Sequence, residues 1–342
     1  MNIAIHHRKG SFNDRWIKYF KKNTIDYKIV DVYQNDIIQQ LKDCDALMWH
    51  HGHSDPKDIL FSKQLLFALE QSGFPVFPDF NTAWHFDDKV GQKYVLEAID
   101  APLVPSYVFY KKKTALNWVE QTQFPKVFKL RGGAGSANVK LVKTKTDATR
   151  LVHKAFDKGF KQYEPWSNLK ERWRKYQNGQ TDLFDIFKGL LRFYKEPEFS
   201  KTIGYERGYV YFQDFIPNND FDIRIIVIGK RAFALKRMVR KGDFRASGSG
   251  NMKFAKEEFD KRCLEISFET SQKLNAQCLA YDFVFDLQNN PLIVEISYGF
   301  AVTAYDPCPG YWDAQLNWHK GQFNPQEWMV EDLIKKIKHN DF

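Results

Sequence analysis

Cysteine is scarce in this chain of 342 residues. Cys44, Cys263, Cys278 and Cys308 lie far apart and form no paired metal motif, so the expectation is a cytoplasmic protein with reduced thiols. Long apolar runs are missing too: none reaches the eighteen residues that a membrane-spanning helix needs. The start, Met1-Asn2-Ile3-Ala4-Ile5-His6-His7, lacks a charged lead, an apolar stretch and a small-residue cleavage site. It reads as a first strand rather than a secretory leader. No internal repeat recurs. There is no Walker A run and no dinucleotide fingerprint.

What is present fills real cores. The hydrophobic fraction is 43%, which excludes wholesale disorder. The net charge is +9 and the aromatic fraction 16%. Basic, aromatic proteins can bind nucleic acid, but here the charge is spread along the chain and no nucleic-acid motif accompanies it. An acidic substrate, such as a nucleotide or an acidic sugar, accounts for the same excess.

The first eighty residues alternate strand and helix patterns. Asn2–Ile5, Tyr27–Val32, Ala46–Trp49 and Pro75–Phe77 read as strands; Asn13–Lys21, Asp36–Lys42 and Ser62–Gln71 read as helices. That alternation implies a small parallel sheet with helices on its faces. Asn81–Ile99 reads as one helix, stopped by the prolines of Ala101-Pro102-Leu103-Val104-Pro105. Residues 144–205 show helical periodicity, with Leu183, Ile186, Phe187, Leu190, Leu191 and Tyr194 on one side of a helix over Asp182–Tyr194. The expectation there is an insertion of helices with a charged outer face that packs locally, the alternative being a lid or acceptor-recognition segment. Tyr209–Phe215, Phe221–Ile228 and Arg231–Arg240 read as a meander turning at Gly229-Lys230, and Lys256–Leu274 as a helix. The expected division is residues 1–80, an N-terminal α/β domain; 81–205, a central lobe with a glycine-rich loop; and 206–342, a C-terminal lobe.

The chemistry-bearing residues stand out against apolar settings. Ala280–Phe285 and Pro291–Ser297 are two short apolar runs separated by Gln288-Asn289-Asn290, a hairpin signal. Asp282 sits in one arm and Glu295 in the other. Charged groups seldom occupy strand interiors unless paired or holding a cation, and close carboxylates with substrate phosphates suit Mg²⁺. Arg131-Gly132-Gly133-Ala134-Gly135-Ser136 lies between two strands and can fold over phosphates with its N–H groups; taken alone it reads as a mobile hairpin turn. Lys129 precedes it among Val127, Phe128 and Leu130. It either snorkels outward or points inward toward an anion. Alternation places Asp222 and Arg224 on one face, whereas Lys236 and Arg237 point to opposite faces, so one of the latter two faces the site. His50, His51 and His53 follow the third strand; a polar loop is expected, with substrate contact or metal binding as the alternatives.

This ordered set resembles the ATP-grasp superfamily over residues 80–300. The carriers are Asp88-Lys89, Val104-Pro105, Pro125-Lys126-Val127-Phe128-Lys129 before the glycine loop, Gln213-Asp214-Phe215-Ile216, Asp222-Ile223-Arg224 with Lys236-Arg237, and Asp282 with Glu295. The last sets are similar to the branch of ribosomal-protein and cofactor glutamate ligases. The resemblance implies an α/β protein with an ATP-grasp fold behind an N-terminal parallel domain, and ATP held between lobes. It implies that Lys89 and Lys129 contact ATP phosphates and that Gly132, Gly133, Gly135 and Ser136 cover them. Gln213, Asp214, Phe215 and Ile216 would meet adenine, and Asp220 the ribose. Arg224 and Lys236 would act in catalysis, while Asp282, Glu295 and Ser297 would hold Mg²⁺, or Mn²⁺ in its place. Ser297 stands where the family carries asparagine, and Tyr298 and Phe300 would line an altered acceptor pocket. The implied activity is an ATP-dependent carboxylate–amine ligase joining a small or sugar-linked carboxylate to an amine, in surface polysaccharide or cofactor modification. The alternatives are a kinase acting on a hydroxyl and a non-catalytic nucleotide-binding protein. Neither nucleic acid nor a membrane span is expected; the oligomeric state stays open, with a homodimer as one option.

Overall fold

The computed structural model describes residues 1–53, 55–132, 138–161, 165–177, 181–191, 201–202, 204–239, 244–246 and 250–339. The chain forms two compact units. One comprises Met1–Gly52, Phe61–Val104 and Ile216–Phe342; the other comprises His53–Leu60 and Pro105–Phe215.

In the first unit, Asn2–His6, Asp26–Val30, Ala46–Met48 and Val76–Phe77 make a parallel sheet in the order second, first, third, fourth. Ile3, Ala4 and Ile5 are wholly buried, as a strand covered on both faces requires. Ser11 caps the helix Phe12–Lys22, which buries Phe12, Trp16 and Phe20, four residues apart, and ends in Lys21 and Lys22 beside its negative pole.

The rest of this unit is built on a mainly antiparallel sheet. Its order is Pro291–Ser297, Cys278–Phe285, Phe221–Ile228, Arg231–Met238, Gly310–Asp313 and Trp318–Lys320, with Met252–Lys253 on the fourth strand. The helix Lys261–Lys273 packs on its second and third strands, and Pro325–His339 packs against Phe12–Lys22 and Phe221–Ile228. One core joins both sheets of the unit: Trp16, Phe77, Ile226, Phe233, Ala280 and Met329 belong to it. Each fully buried large apolar side chain there contributes about 1.5–3 kcal/mol. Gly229 makes the turn at φ +55, and a Cβ on it would lie 2.3 Å from Asp332 Oδ2.

The second unit carries an antiparallel sheet ordered Ser106–Phe109, Val210–Asp214, Lys126–Lys129 and Val139–Val142. The helices Lys112–Gln121 and Lys145–Phe156 supply Ala115, Val119, Ala148 and Val152 to a core with Phe128 and Phe212. Phe160–Lys161 pairs with Tyr205–Glu206. Pro165–Gln177 and Leu183–Leu191 form a helical pair.

Several local expectations are corrected. The helix expected over Asn81–Ile99 is two, Phe80–Ala83 and Lys89–Ala98. Asp87 adopts φ +52 and Asp88 starts the second helix afresh, its Oδ1 accepting from the Gly91 N–H at 2.9 Å. Lys256–Glu258 is a separate 3₁₀ turn, and Asp260 caps the true helix through the Arg262 N–H. Val210–Asp214 is no part of a meander with Phe221–Ile228; it pairs with Ser106–Phe109 and Lys126–Lys129. The outer face of Leu183–Leu191 is apolar rather than charged, with Leu183, Phe184, Phe187 and Leu190 exposed. Tyr194 lies outside the described residues.

Candidate active site

The site starts from strand register. Asp282 stands directly opposite Glu295 on one side and Arg224 on the other, and Asp222 stands opposite Arg237. Opposed residues in an antiparallel pair share a face, as do residues two apart on one strand. Asp222, Arg224, Arg237, Asp282, Glu295 and Ser297 therefore occupy one face of the sheet. A bulge follows Asp282, so that Phe283 meets Ile293 rather than Val294; such bulges re-aim neighbouring side chains.

Four of these residues form a tight lattice. Arg224 Nε donates to Asp282 Oδ1 at 2.5 Å and Nη2 to Oδ2 at 2.6 Å. Arg237 holds Asp222 by two contacts of 2.6 Å and also reaches Asp282 Oδ2 at 2.9 Å. The side chains are 9–22% exposed. Burial opposes the ionised Asp282, but Arg224 and Arg237 outweigh it and hold this carboxyl below the usual carboxylate range. At Asp222 burial wins and raises the carboxyl, with Arg237 opposing. Tyr305 lies against Arg224, and burial raises its hydroxyl.

Glu295 has a different partner. Lys89 Nζ lies 3.5 Å from Glu295 Oε1, and Lys89 itself is buried. Its helix is pinned to the same strand, because Gln92 Oε1 accepts from the Ile296 N–H at 3.3 Å. The extended Pro102–Val104 segment also pairs with this strand: the Ile293 N–H donates to Pro102 O at 2.7 Å, and the Val104 N–H to Ile293 O at 2.9 Å. Ser297 Oγ donates to Gly299 O at 2.9 Å.

Lys236 corrects the sequence reading. It stands opposite Ile223, which puts it on the far face from Arg224 and Asp282. There its Nζ reaches Glu258 at 2.9 Å and lies 3.9 Å from the Phe221 ring centroid. Arg237 is the member of that pair that joins the carboxylates. Tyr298 and Phe300, expected to line an acceptor pocket, are core residues: Tyr298 donates its hydroxyl to His51 O, and Phe300 packs on Phe12 and Phe233. The histidine loop is likewise packed rather than simply polar. The His50 ring stacks on Phe12 at 3.7 Å, and His51 is buried against Tyr298 and Phe86. Among the described residues no cluster of three or more His, Cys, Asp or Glu has metal-holding geometry.

Within the second unit, Lys129 points inward. It is 5% exposed, and its Nζ donates to Gln213 Oε1 at 2.6 Å, whose Nε2 donates to Ser106 Oγ at 3.1 Å. Lys126 pairs with Asp214 at 2.5 Å beside the Tyr107 and Trp118 rings. The entry to the glycine loop is already anchored. Glu206 accepts from the Arg131 N–H at 3.0 Å and the Gly132 N–H at 3.3 Å, and from the Tyr209 hydroxyl. Those two amides serve an internal carboxylate. Gly133, Gly135 and Ser136 lie outside the described residues. Phe215 and Ile216 are half-buried, and Asp220 is exposed, its carbonyl accepting from the Val239 N–H at 2.8 Å.

The oxygen donors Asp282, Glu295 and Ser297 fit a hard divalent cation by type and by shared face. Glu295 is the less committed carboxylate, since both Asp282 oxygens accept from guanidinium groups.

Comparison with known proteins gives this arrangement its frame. Residues 195–306 match the RimK-like ATP-grasp domain. That span holds the whole arginine–aspartate lattice and both expected metal carboxylates. Along nearly its full length the chain superposes on solved structures. With a RimK domain ATP-grasp protein from Sphaerobacter thermophilus the TM-score is 0.56 at 14% identity, covering 98% of this chain and all of that one. With D-alanine–D-alanine ligase from Bacillus anthracis it is 0.58 at 14% identity, covering 99% of each. The chain has an ATP-grasp fold. The α-aminoadipate–LysW ligase LysX of Saccharolobus solfataricus is 22% identical over 231 residues, 68% of each chain. Two residues of these charged networks, each within its own unit, are not settled by the sequence. Strand alternation leaves Arg237 as one of two options, and nothing near Glu206 shows that it holds the Arg131 and Gly132 amides, which lie far along the chain.

Proposed function

We propose that the protein is an ATP- and Mg²⁺-dependent ligase that activates a carboxylate as an acyl phosphate and passes it to an amine. The observation that carries this reading is the single sheet face on which Asp222, Arg224, Arg237, Asp282, Glu295 and Ser297 gather, within the segment that matches the RimK-like domain. Relatives named as ligases support it.

In this reaction a substrate carboxylate oxygen attacks the γ-phosphorus of ATP. The bond to the β–γ bridging oxygen breaks, and ADP leaves. The amine nitrogen then attacks the acyl carbon, loses a proton, and expels inorganic phosphate as the amide forms. The protein's task is to position groups and to neutralise charge spreading over the transferring phosphoryl oxygens. Lys129, buried and with its ammonium donating to the Gln213 carboxamide oxygen, brings a cation that suits the triphosphate. Lys89 adds a second buried cation. Arg224 and Arg237, whose Nε and Nη2 forks hold Asp282 and Asp222, would meet phosphate or carboxylate oxygens through their Nη1 groups. Asp282, Glu295 and Ser297 would hold Mg²⁺, which supplies further charge neutralisation when bound. Glycine residues after Gly132 would close over the nucleotide and keep water from the acyl phosphate. A sugar-linked carboxylate of surface polysaccharide, or a cofactor carboxylate, suits the net charge of +9.

The purified chain, given ATP, Mg²⁺ and mixed pools of carboxylates and amines, is expected to release ADP, phosphate and an amide in equal amounts. A phosphorylated hydroxyl with no amide would reassign it as a kinase. Nucleotide binding that ignores Mg²⁺ and survives Glu295→Ala would make it non-catalytic.

A further inference from the structure

The helix Leu183–Leu191 is turned inside out. At about 100° per residue, Leu183, Phe184, Phe187 and Leu190 share one third of its circumference. They are 62%, 62%, 55% and 48% exposed. The opposite arc carries Asp185 and Gly189, and it is this arc that packs on the neighbouring helix Pro165–Gln177. Arg172 forms an ion pair with Asp185 and donates to its carbonyl at 3.0 Å. A Cβ on Gly189 would lie 2.8 Å from Arg172 Cδ and 3.1 Å from Leu169 Cδ1. A helix of a water-soluble surface normally buries its apolar stripe and exposes its polar one. Here the small and polar side makes the packing contact, and the apolar side meets solvent. Contiguous exposed apolar surface of this kind marks an interaction site.

The chemistry around the stripe selects the partner. Lys188 is exposed at its rim, with Nζ 4.6 Å from the Phe184 ring centroid. On the neighbouring helix, Trp166 and Trp173 are 64% and 50% exposed, and exposed Lys170 lies between them on the same helical stripe. Residues 165–191 hold five basic side chains against three acidic ones, and one of the acidic ones, Asp185, is spent on Arg172. Trp, Phe and Leu interleaved with lysines whose stems reach past apolar surface are the chemistry of a helix lying in a headgroup layer. A second copy of this patch would set like charges against each other, whereas an anionic bilayer complements them.

We propose that the helical pair Pro165–Gln177 and Leu183–Leu191 docks the protein on an anionic phospholipid surface. The apolar stripe enters the interface between headgroups and acyl chains, Lys188 at its rim meets lipid phosphates, and Lys170 on the neighbouring helix adds longer-range attraction to the anionic surface. The attachment proposed is peripheral and reversible, as for a helix lying in the interface plane; no helix among the described residues is long and apolar enough to span a bilayer. This proposal stands apart from the ligase reading.

The test is cosedimentation of the full chain with vesicles of phosphatidylcholine alone and of phosphatidylcholine mixed with phosphatidylglycerol. The wild-type chain is expected on the mixed vesicles, with binding weakened by added salt. Phe184→Glu combined with Phe187→Glu should lower the bound-to-free ratio by on the order of a hundredfold, with an unchanged far-ultraviolet circular dichroism spectrum. Lys170→Glu combined with Lys188→Glu keeps the apolar stripe and should remove the preference for the anionic vesicles. Absence of wild-type binding to the mixed vesicles overturns the proposal. So does equal binding by the wild type and both folded variants, or a dimer that the Phe184 and Phe187 substitutions dissolve without any vesicle association.

Discussion

Arg224 grips Asp282 through both carboxylate oxygens, at 2.5 and 2.6 Å, across two neighbouring strands. Arg237 reaches the same carboxylate from the next strand at 2.9 Å while holding Asp222. Two guanidinium groups thus balance two carboxylates on a largely buried sheet face. Removing one partner strands an unbalanced charge there. Arg224→Met is expected to destabilise the protein by about 3 kcal/mol, read as a lower urea midpoint. A midpoint within error of wild type would show that the pair contributes nothing to folding.

Glu206 fixes where the glycine loop begins. It accepts from the Arg131 and Gly132 amides, and the Arg131 amide also donates to the Tyr209 hydroxyl at 2.6 Å. In Glu206→Ala the Gly132 amide, which loses its carboxylate acceptor, should exchange with deuterium about tenfold faster in the nucleotide-free protein, while amides of the core strand Lys126–Lys129 keep their protection. Unchanged exchange at Gly132 would remove Glu206 from this role.

His85 makes stability depend on pH. It is fully buried, and burial first, then Lys63, lowers its imidazole to about 4. The unfolded chain takes up this proton near pH 6.5, whereas the folded chain does so only near 4. Stability from this group is therefore complete above pH 6.5 and falls as pH drops toward 4, by about 3 kcal/mol in all. Urea midpoints across that range should fall more steeply for wild type than for His85→Asn. Parallel slopes would contradict the assignment.

Gly229 should resist substitution for two reasons at once. Its φ of +55 disfavours a side chain, and a Cβ there would meet Asp332 Oδ2 at 2.3 Å. Gly229→Ala is expected to cost about 1–3 kcal/mol, measured by thermal or chemical denaturation. A neutral effect would mean that the turn and the Asp332 side chain yield without cost.

Much of this was legible in the chain because the signals are local. The hairpin Cys278–Phe285 with Pro291–Ser297 follows from two apolar runs, their polar connection and the carboxylates within them; Asn289 takes φ +61 in that turn. The N-terminal parallel sheet follows from alternation. What escaped depends on partners distant in sequence. Nothing near Val210–Asp214 says that it belongs with Lys126–Lys129 rather than with Phe221–Ile228. Alternation separates Lys236 from Arg237 but does not say which face holds the carboxylates. Helical periodicity gathers Leu183, Phe187 and Leu190 on one side, yet cannot tell which way that side turns. The break before Lys89 lacks proline or glycine and is set by Asp87 and Asp88 backbone geometry.

Transfer of carboxylate oxygen tests the central claim most directly. The chain is incubated with ATP, Mg²⁺, an amine pool and a carboxylate pool labelled with oxygen-18, and the released phosphate is weighed by mass spectrometry. Activation through an acyl phosphate predicts one heavy oxygen in each phosphate released with amide, and loss of that signal in Lys129→Ala. Amide and phosphate formed with no heavy oxygen in the phosphate would contradict the account.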